Sequence, residues 1–162
     1  MATKIDPGTP GWQQRHVELY LKSDGAEGHV VDLGRPGASA VNCLLLQTTG
    51  RRSKESRTSP LIYGNDGKGF VIVASKGGAP DHPAWFLNLR DEPEVRFQVA
   101  NKKYRGVARI TSGAERERLF RMMAGLFPPY DSYQAKTARE IPVVVLEPRE
   151  AVERLRGHVG TP

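Results

Sequence analysis

Three apolar runs follow one another with no helix-length spacer between them: AVNCLLLQTT (40–49), TSPLIYGND (58–66) and GFVIVAS (69–75). All three are rich in strand formers, and only a basic loop and the turn letters NDGKG separate them. Parallel neighbours in a sheet need a crossover of about a dozen residues or more. The shorter links here therefore dictate antiparallel neighbours and disfavour a doubly wound βαβ sheet.

The rest of the chain fits the same plan. EVRFQVA and YRGVARIT, joined by NKK, form another hairpin, and IPVVVLEP (141–148) is a last buried strand. Helices are expected at the margins. Residues 11–24 bring Trp12, His16, Val17, Tyr20 and Leu21 to one face. Asp81 caps a helix through HPAWFLNLR with Pro83 in its first turn. SGAERERLFRMMAGLF opens with a capping box, Ser112 to Glu115, and YDSYQAKTARE (130–140) is a further helical piece. About six strands with peripheral helices make a mostly β, α+β, barrel-like domain. The 162 residues form one such domain, 1–162, closing in a charged tail over 149–162.

Composition narrows the setting more than the function. No run of about 18 apolar residues is present to cross a bilayer, and MATKIDPGTPGW lacks the apolar core of a secretory signal. Cys43, the single cysteine, has no disulfide partner within the chain and reads as a small buried hydrophobe, which fits a reducing cytoplasm. The amphipathic helix 11–24 offers a surface for peripheral membrane contact. A net charge of +6 attracts anions without choosing among nucleic acid, lipid headgroups and phosphorylated small molecules.

Several standard sites are absent: G-x-G-x-x-G after a strand, the P-loop, H-E-x-x-H and G-x-S-x-G. Four histidines without ligand spacing and one cysteine give no metal site. Two stretches remain. In VIVASKGGAPDHPAWFLNL (71–89), a strand ends at Ala74, Ser75 and Lys76, and Gly77 and Gly78 precede a helix start. Those glycines let backbone N–H groups approach a ligand, although an ordinary turn with a solvated lysine has the same letters. In TTGRRSKESR (48–57), Arg51, Arg52, Lys54 and Arg57 crowd seven residues, as an anion site or as a solvated face. Pairing of strands 41–49 and 58–63 beside 69–75 would set these stretches at two ends of one groove.

Taken in order, LLLQTTGRRSKESRTSPLIY, VIVASKGGAPDHPAWFLNL, PEVRFQV and FPPYDSYQAKTAREIPVVVLEP resemble the deazaflavin-dependent nitroreductase family over about residues 38–148. The resemblance implies a split β-barrel of the flavin-reductase, FMN-binding kind. It also implies coenzyme F420, an 8-hydroxy-5-deazaflavin, as hydride donor to quinones, nitroaromatics or activated alkenes. By the same resemblance Arg51, Arg52, Ser53, Lys54 and Arg57 hold the cofactor's anionic end, with Lys54 standing where glycine is common. Ala74, Ser75, Lys76, Gly77, Gly78, Pro83, Trp85 and Asn88 lie along its ring. Tyr130, Tyr133 and Ser75 are the implied hydroxyl donors on the substrate side. Phe127 replaces a common tyrosine and is expected to pack.

Three rival readings use the same residues, one of them a protein that carries the deazaflavin without turnover. An FMN-binding split barrel would need a shorter phosphate site. A nucleic-acid module would use GRRSKESR and NKKYR, but only Tyr104 interleaves an aromatic there, and no nucleic-acid partner is expected. A small-molecule electron acceptor is the expected partner.

Overall fold

The computed structural model describes residues 1–157, so the end of the charged tail, with His158, lies outside the described residues. In chain order the elements are β1 (Thr3–Lys4), α1 (Trp12–Lys22), β2 (Val30–Asp32), β3 (Val41–Thr49), β4 (Ser56–Ile62), β5 (Gly64–Asn65) and β6 (Phe70–Val73). A single 3-10 turn (Lys76–Gly78) then precedes α2 (Ala84–Asp91), β7 (Glu94–Val99), β8 (Lys102–Ile110), α3 (Gly113–Leu126), α4 (Pro129–Lys136) and β9 (Val143–Ala151).

Starting at β4, the ladder runs β4-β3-β7-β8-β9-β6, every pair antiparallel, with β5 on the far edge of β6. β4 and β6 approach each other at the ends of this path, yet no ladder joins them among the described residues. The barrel is thus split along one seam, and the fold is a split β-barrel with peripheral helices. Alternation sends Ile72, Val144 and Leu146 to one core with Leu44, Leu46, Phe97 and the α2 side chains Trp85, Phe86 and Leu89. Their neighbours Val71, Val73, Val143 and Val145 enter a second core against Leu119, Phe120 and Met123 of α3 and Tyr130 of α4. Burial on both faces explains why VIVA and VVVL are unbroken apolar runs.

Several local expectations change. The Ser112 side chain makes no cap bond, and the Glu115 carboxylate turns to Arg109, at 2.7 and 3.2 Å. Arg109 also holds Glu147 at 3.1 Å, so helix α3 is tied to β8 and β9 by charge rather than by a capping box. Pro83, not Asp81, is the N-cap of α2, since the Asp81 carboxylate pairs with Lys76 at 2.9 Å. α4 ends at Lys136 instead of running to 140. Strand β9 extends to Ala151, taking the first tail residues into a pairing where Arg105 meets Glu150 at 2.6 Å. β1 and β2 add an unforeseen pair, parallel to one another, on the β3 edge.

Helix α1 buries His16, Val17 and Tyr20, and Leu45 of β3 packs with the last two; Leu21, expected on that face, is 38% exposed. Most of its apolar side is therefore committed to the barrel. Among the described residues no helix is long and apolar enough to cross a membrane.

Three histidines are held neutral. His16 Nε2 meets Gly28 O at 2.8 Å, His29 Nε2 meets the Tyr63 hydroxyl at 2.7 Å, and His82 Nδ1 faces Arg139 at 3.1 Å. Burial is the main force lowering all three pKa values below 6.5, with Arg139 and Arg90 adding to it at His82. The unfolded chain then binds more protons as pH drops through 6.5. The stability is fully present above that pH and is lost as pH falls through the lowered folded-state values, at no more than about 1.4 kcal/mol per pH unit for each group. Melting temperature should be level from pH 8 to 7 and decline toward pH 5, above the range in which Glu115 and Glu150 titrate. A level melting temperature down to pH 5 would show that burial does not keep these rings neutral.

Candidate active site at the barrel seam

A cavity of about 640 Å³ occupies the seam where β4 and β6 fail to pair. Ser59 to Ile62 of β4 form one wall, and Val73 with Ser75, Lys76 and Gly77 the other. Pro83 and Trp85 close it from α2, Tyr130 and Tyr133 from α4, and Trp12 and His16 from α1. Seven of the residues singled out from the sequence therefore meet at one place. Phe127 lines the cavity as well as packing, its ring edge-on to Tyr130 at 5.0 Å and beneath the Arg35 guanidinium at 5.2 Å.

The wall after β6 has an unusual backbone. Lys76, Gly77 and Gly78 take left-handed φ values of 46°, 64° and 82° in succession. A Cβ on Gly78 would stand 2.7 Å from Tyr133 O, so α4 rests directly on this turn; at Gly77 the space is open. Lys76 points its ammonium to Asp81 and holds that carboxyl below its usual range. Ala74 is fully buried in the barrel core. The whole turn is gripped by a residue that sequence patterning did not single out, Arg139, whose guanidinium donates to Ala74 O, Ser75 O and Ala79 O at 3.2, 2.7 and 2.8 Å.

The basic loop is the β3–β4 hairpin. Gly50 N–H donates to Glu55 O and Lys54 N–H to Gly50 O, both at 2.8 Å, while Ser53 Oγ accepts from Glu55 N–H at 3.2 Å. Ser53 thus shapes the turn. Lys54 has φ 63°, a conformation glycine adopts without strain, which accounts for the glycine common at this place; the turn closes with lysine all the same. Arg57 pairs with Glu55 at 3.6 Å, and the side chains of Arg52 and Lys54 lie in solvent.

Asn88, expected along the ring, is not among the residues that line the cavity. Its Oδ1 accepts from Arg51 N and Nη1 at 3.3 and 3.1 Å, and its Nδ2 donates to Thr48 at 3.2 Å. One turn beyond Trp85, it braces the basic loop to the helix that closes the cavity. Along β4, Arg57 lies three residues from Pro60 in the cavity wall, about 10 Å at strand rise. The other basic stretch is engaged elsewhere: Lys103 pairs with Asp24, and Arg105 with Glu94 and Glu150.

Two groups in the cavity wall are kept neutral. Tyr130 is 4% exposed, and burial raises its phenol far above the usual range; burial also pushes the Cys43 thiol up to about 12. Neither ionises near neutral pH. Tyr130 is a hydrogen-bond donor, and Cys43 an inert apolar surface.

These features coincide with what comparison shows. The family model for F420H(2)-dependent quinone reductases matches residues 12–148. An F420H(2)-dependent quinone reductase of Mycobacterium tuberculosis is 36% identical over 150 residues, covering 85% of this chain and 97% of the relative. A solved F420-H2 dependent reductase is 39% identical, with a TM-score of 0.61 over 65% of this chain and 93% of its own. A solved domain-swapped dimer is 35% identical, with a TM-score of 0.63 over 83% of this chain and 96% of its own. On the match across 12–148 and a relative aligned over nearly its whole length, the chain belongs to the F420H(2)-dependent quinone reductase family.

Proposed function

We propose that this chain binds coenzyme F420 with the ring in the seam cavity and the anionic end at the β3–β4 hairpin, and passes a hydride to a quinone. The observation that carries the reading is the Asn88 brace, which couples Arg51 to the helix closing the cavity. The residues fit the group. The open space at Gly77, the apolar Trp85 and Pro83, and the basic hairpin about 10 Å away suit a flat ring with a charged tail. When bound, the reduced deazaflavin supplies the hydride. The family match names coenzyme F420, and nothing favours FMN. Titration with both cofactors, followed by reduction of menadione with the reduced deazaflavin, tests the reading; tighter binding of FMN would reject it.

A hydride delivered to a quinone leaves negative charge on its oxygen. Tyr130, Tyr133 and Ser75, all in the cavity wall, are placed to donate a hydrogen bond to that charge as it develops. Tyr130→Phe should lower menadione turnover about tenfold, roughly 1.4 kcal/mol of barrier. Its cofactor dissociation constant should stay within about twofold. If Tyr130→Phe, Tyr133→Phe and Ser75→Ala all keep full activity, protons come from solvent and the three residues only pack. Phe127 offers no hydroxyl, so nitro reduction that depends on one there is expected to be weak, while quinones and activated alkenes are accepted.

Lys76 serves this reading less than its position suggests. Its ammonium is half exposed and paired with Asp81, so Lys76→Ala should weaken cofactor binding by about threefold, against no change for Lys102→Ala. Equal effects would reduce Lys76 to a turn residue.

A further inference from the structure

The turn that faces the cavity is held from behind. Arg139 lies between α4 and β9, and its three donor nitrogens reach Ala79 O, Ala74 O and Ser75 O, with Nη1 also facing His82 Nδ1 at 3.1 Å. Each trans peptide unit sets its N–H opposite its C=O, and the described chain has no cis bond. The carbonyls of Ala74 and Ser75 belong to the peptide groups that carry the N–H of Ser75 and Lys76. With both carbonyls turned to the guanidinium, those two N–H groups point away from it, on residues that line the cavity. Beyond Gly77 the N–H groups are already used, Gly78 to Ser75 O at 2.9 Å and Ala79 to Lys76 O at 3.1 Å.

Arg139 is itself anchored. Its carbonyl accepts from Gln134 Nε2 at 2.8 Å, and Gln134 Oε1 accepts from Arg116 Nη2 at 2.8 Å and from Ile141 N–H at 2.9 Å. Arg116, buried over the Phe120 ring, fixes Ile141 O through two further bonds. A cation placed against two carbonyls also draws electron density from the far ends of those peptide groups, strengthening their N–H bonds as donors.

We propose that Arg139 is a positioning residue: it turns the Ser75 and Lys76 N–H groups toward the cavity and strengthens them as donors to the electron-rich edge of the bound deazaflavin. The ligand half of this rests on the function proposed above. The holding half does not.

Two measurements test it. In the protein without cofactor, amide hydrogen exchange over residues 75–79 should accelerate at least tenfold in Arg139→Ala while the barrel strands keep their protection; unchanged exchange in this loop overturns the proposal. If Arg139→Ala does not fold, Arg139→Lys and Arg139→Gln take its place, with smaller accelerations expected. With oxidised coenzyme bound, ionisation of the ring hydroxyl, read from visible absorption, should need a pH about one unit higher in Arg139→Gln, a tenfold change in that equilibrium. Arg139→Lys, which restores the charge, should recover most of the shift. Equal titration in the lysine and glutamine variants overturns the electronic role. Failure of the wild type to bind the coenzyme rejects the proposed function, and the exchange result still decides what Arg139 does to the turn.

Discussion

Gly78→Ala is expected to destabilise the protein by about 3 kcal/mol, whereas Gly77→Ala, one residue earlier, costs about 1 kcal/mol. Both residues have left-handed φ, 82° and 64°, so each substitution carries the conformational cost of about 1–2 kcal/mol for a side chain in that region. They differ in what the new methyl meets. At Gly77 nothing lies within 4 Å, while at Gly78 the methyl would stand 2.7 Å from Tyr133 O and 3.0 Å from Tyr133 Cα. Those are backbone atoms of α4 and have no rotamer to change, so the helix must shift. Overpacking of this kind costs about 1–3 kcal/mol. A displaced α4 also moves Tyr130 and Tyr133 in the cavity wall, so Gly78→Ala should lose menadione turnover along with stability. Urea denaturation of the two variants decides the point; equal stabilities would mean that α4 does not bear on the turn.

The barrel could be read from the letters because the physics is repetitive. The inner stretches of β3, β6 and β9 are buried on both faces, and such burial favours apolar runs such as CLLL, VIVA and VVVL. Hairpin links then fixed antiparallel neighbours. The short β1 and β2 carry two and three residues, too few for a period to show. The capping residues misled for a different reason. Ser112, Glu115 and Asp81 have the right spacing for caps, but Arg109 and Lys76 offer each carboxylate a full charge in place of a backbone N–H.

The site was legible where chemistry sits in one stretch and hidden where it is assembled across the chain. Ser75 to Gly78 announce a tight turn by their glycines. Nothing in KTARE marks Arg139 apart from the exposed arginines of α3, because its partners lie about 60 residues away in the chain. Asn88 was found by resemblance, yet its orientation toward Thr48 and Arg51 depends on how α2 meets the end of β3. His16 and Trp12 join the cavity only because α1 folds across β4, which periodicity alone does not reveal.

The joint substitution Arg51→Ala, Arg57→Ala should weaken binding of coenzyme F420 by about 100-fold, some 2.7 kcal/mol. Arg51 is the stronger contributor. Its main chain and guanidinium are both held by Asn88 before any ligand arrives, so less side-chain entropy is lost on binding than for a free arginine. Arg57 sits in β4 opposite Thr48 with its side chain 28% exposed, on a strand rather than on a mobile tip. Charge-assisted bonds contribute about 1.5–3 kcal/mol each, and partial exposure places this pair at the lower end. Arg52 and Lys54 are exposed and unbraced by Asn88, so their joint replacement should cost only about threefold. Folding stability should fall by no more than about 1.5 kcal/mol, the loss of the Arg51 guanidinium bond to Asn88, since the main-chain bond remains. Raising salt should weaken the wild type more than the double variant, since exposed charges are screened over about 10 Å at 0.1 M. Asn88→Ala provides the sharper control: it removes no charge, yet by loosening Arg51 it should cost about tenfold in affinity. Unchanged affinity in the double variant would take the anionic end of the cofactor away from this hairpin. A full effect of the double variant beside an unchanged Asn88→Ala would keep the hairpin as the site and remove the brace from its cause.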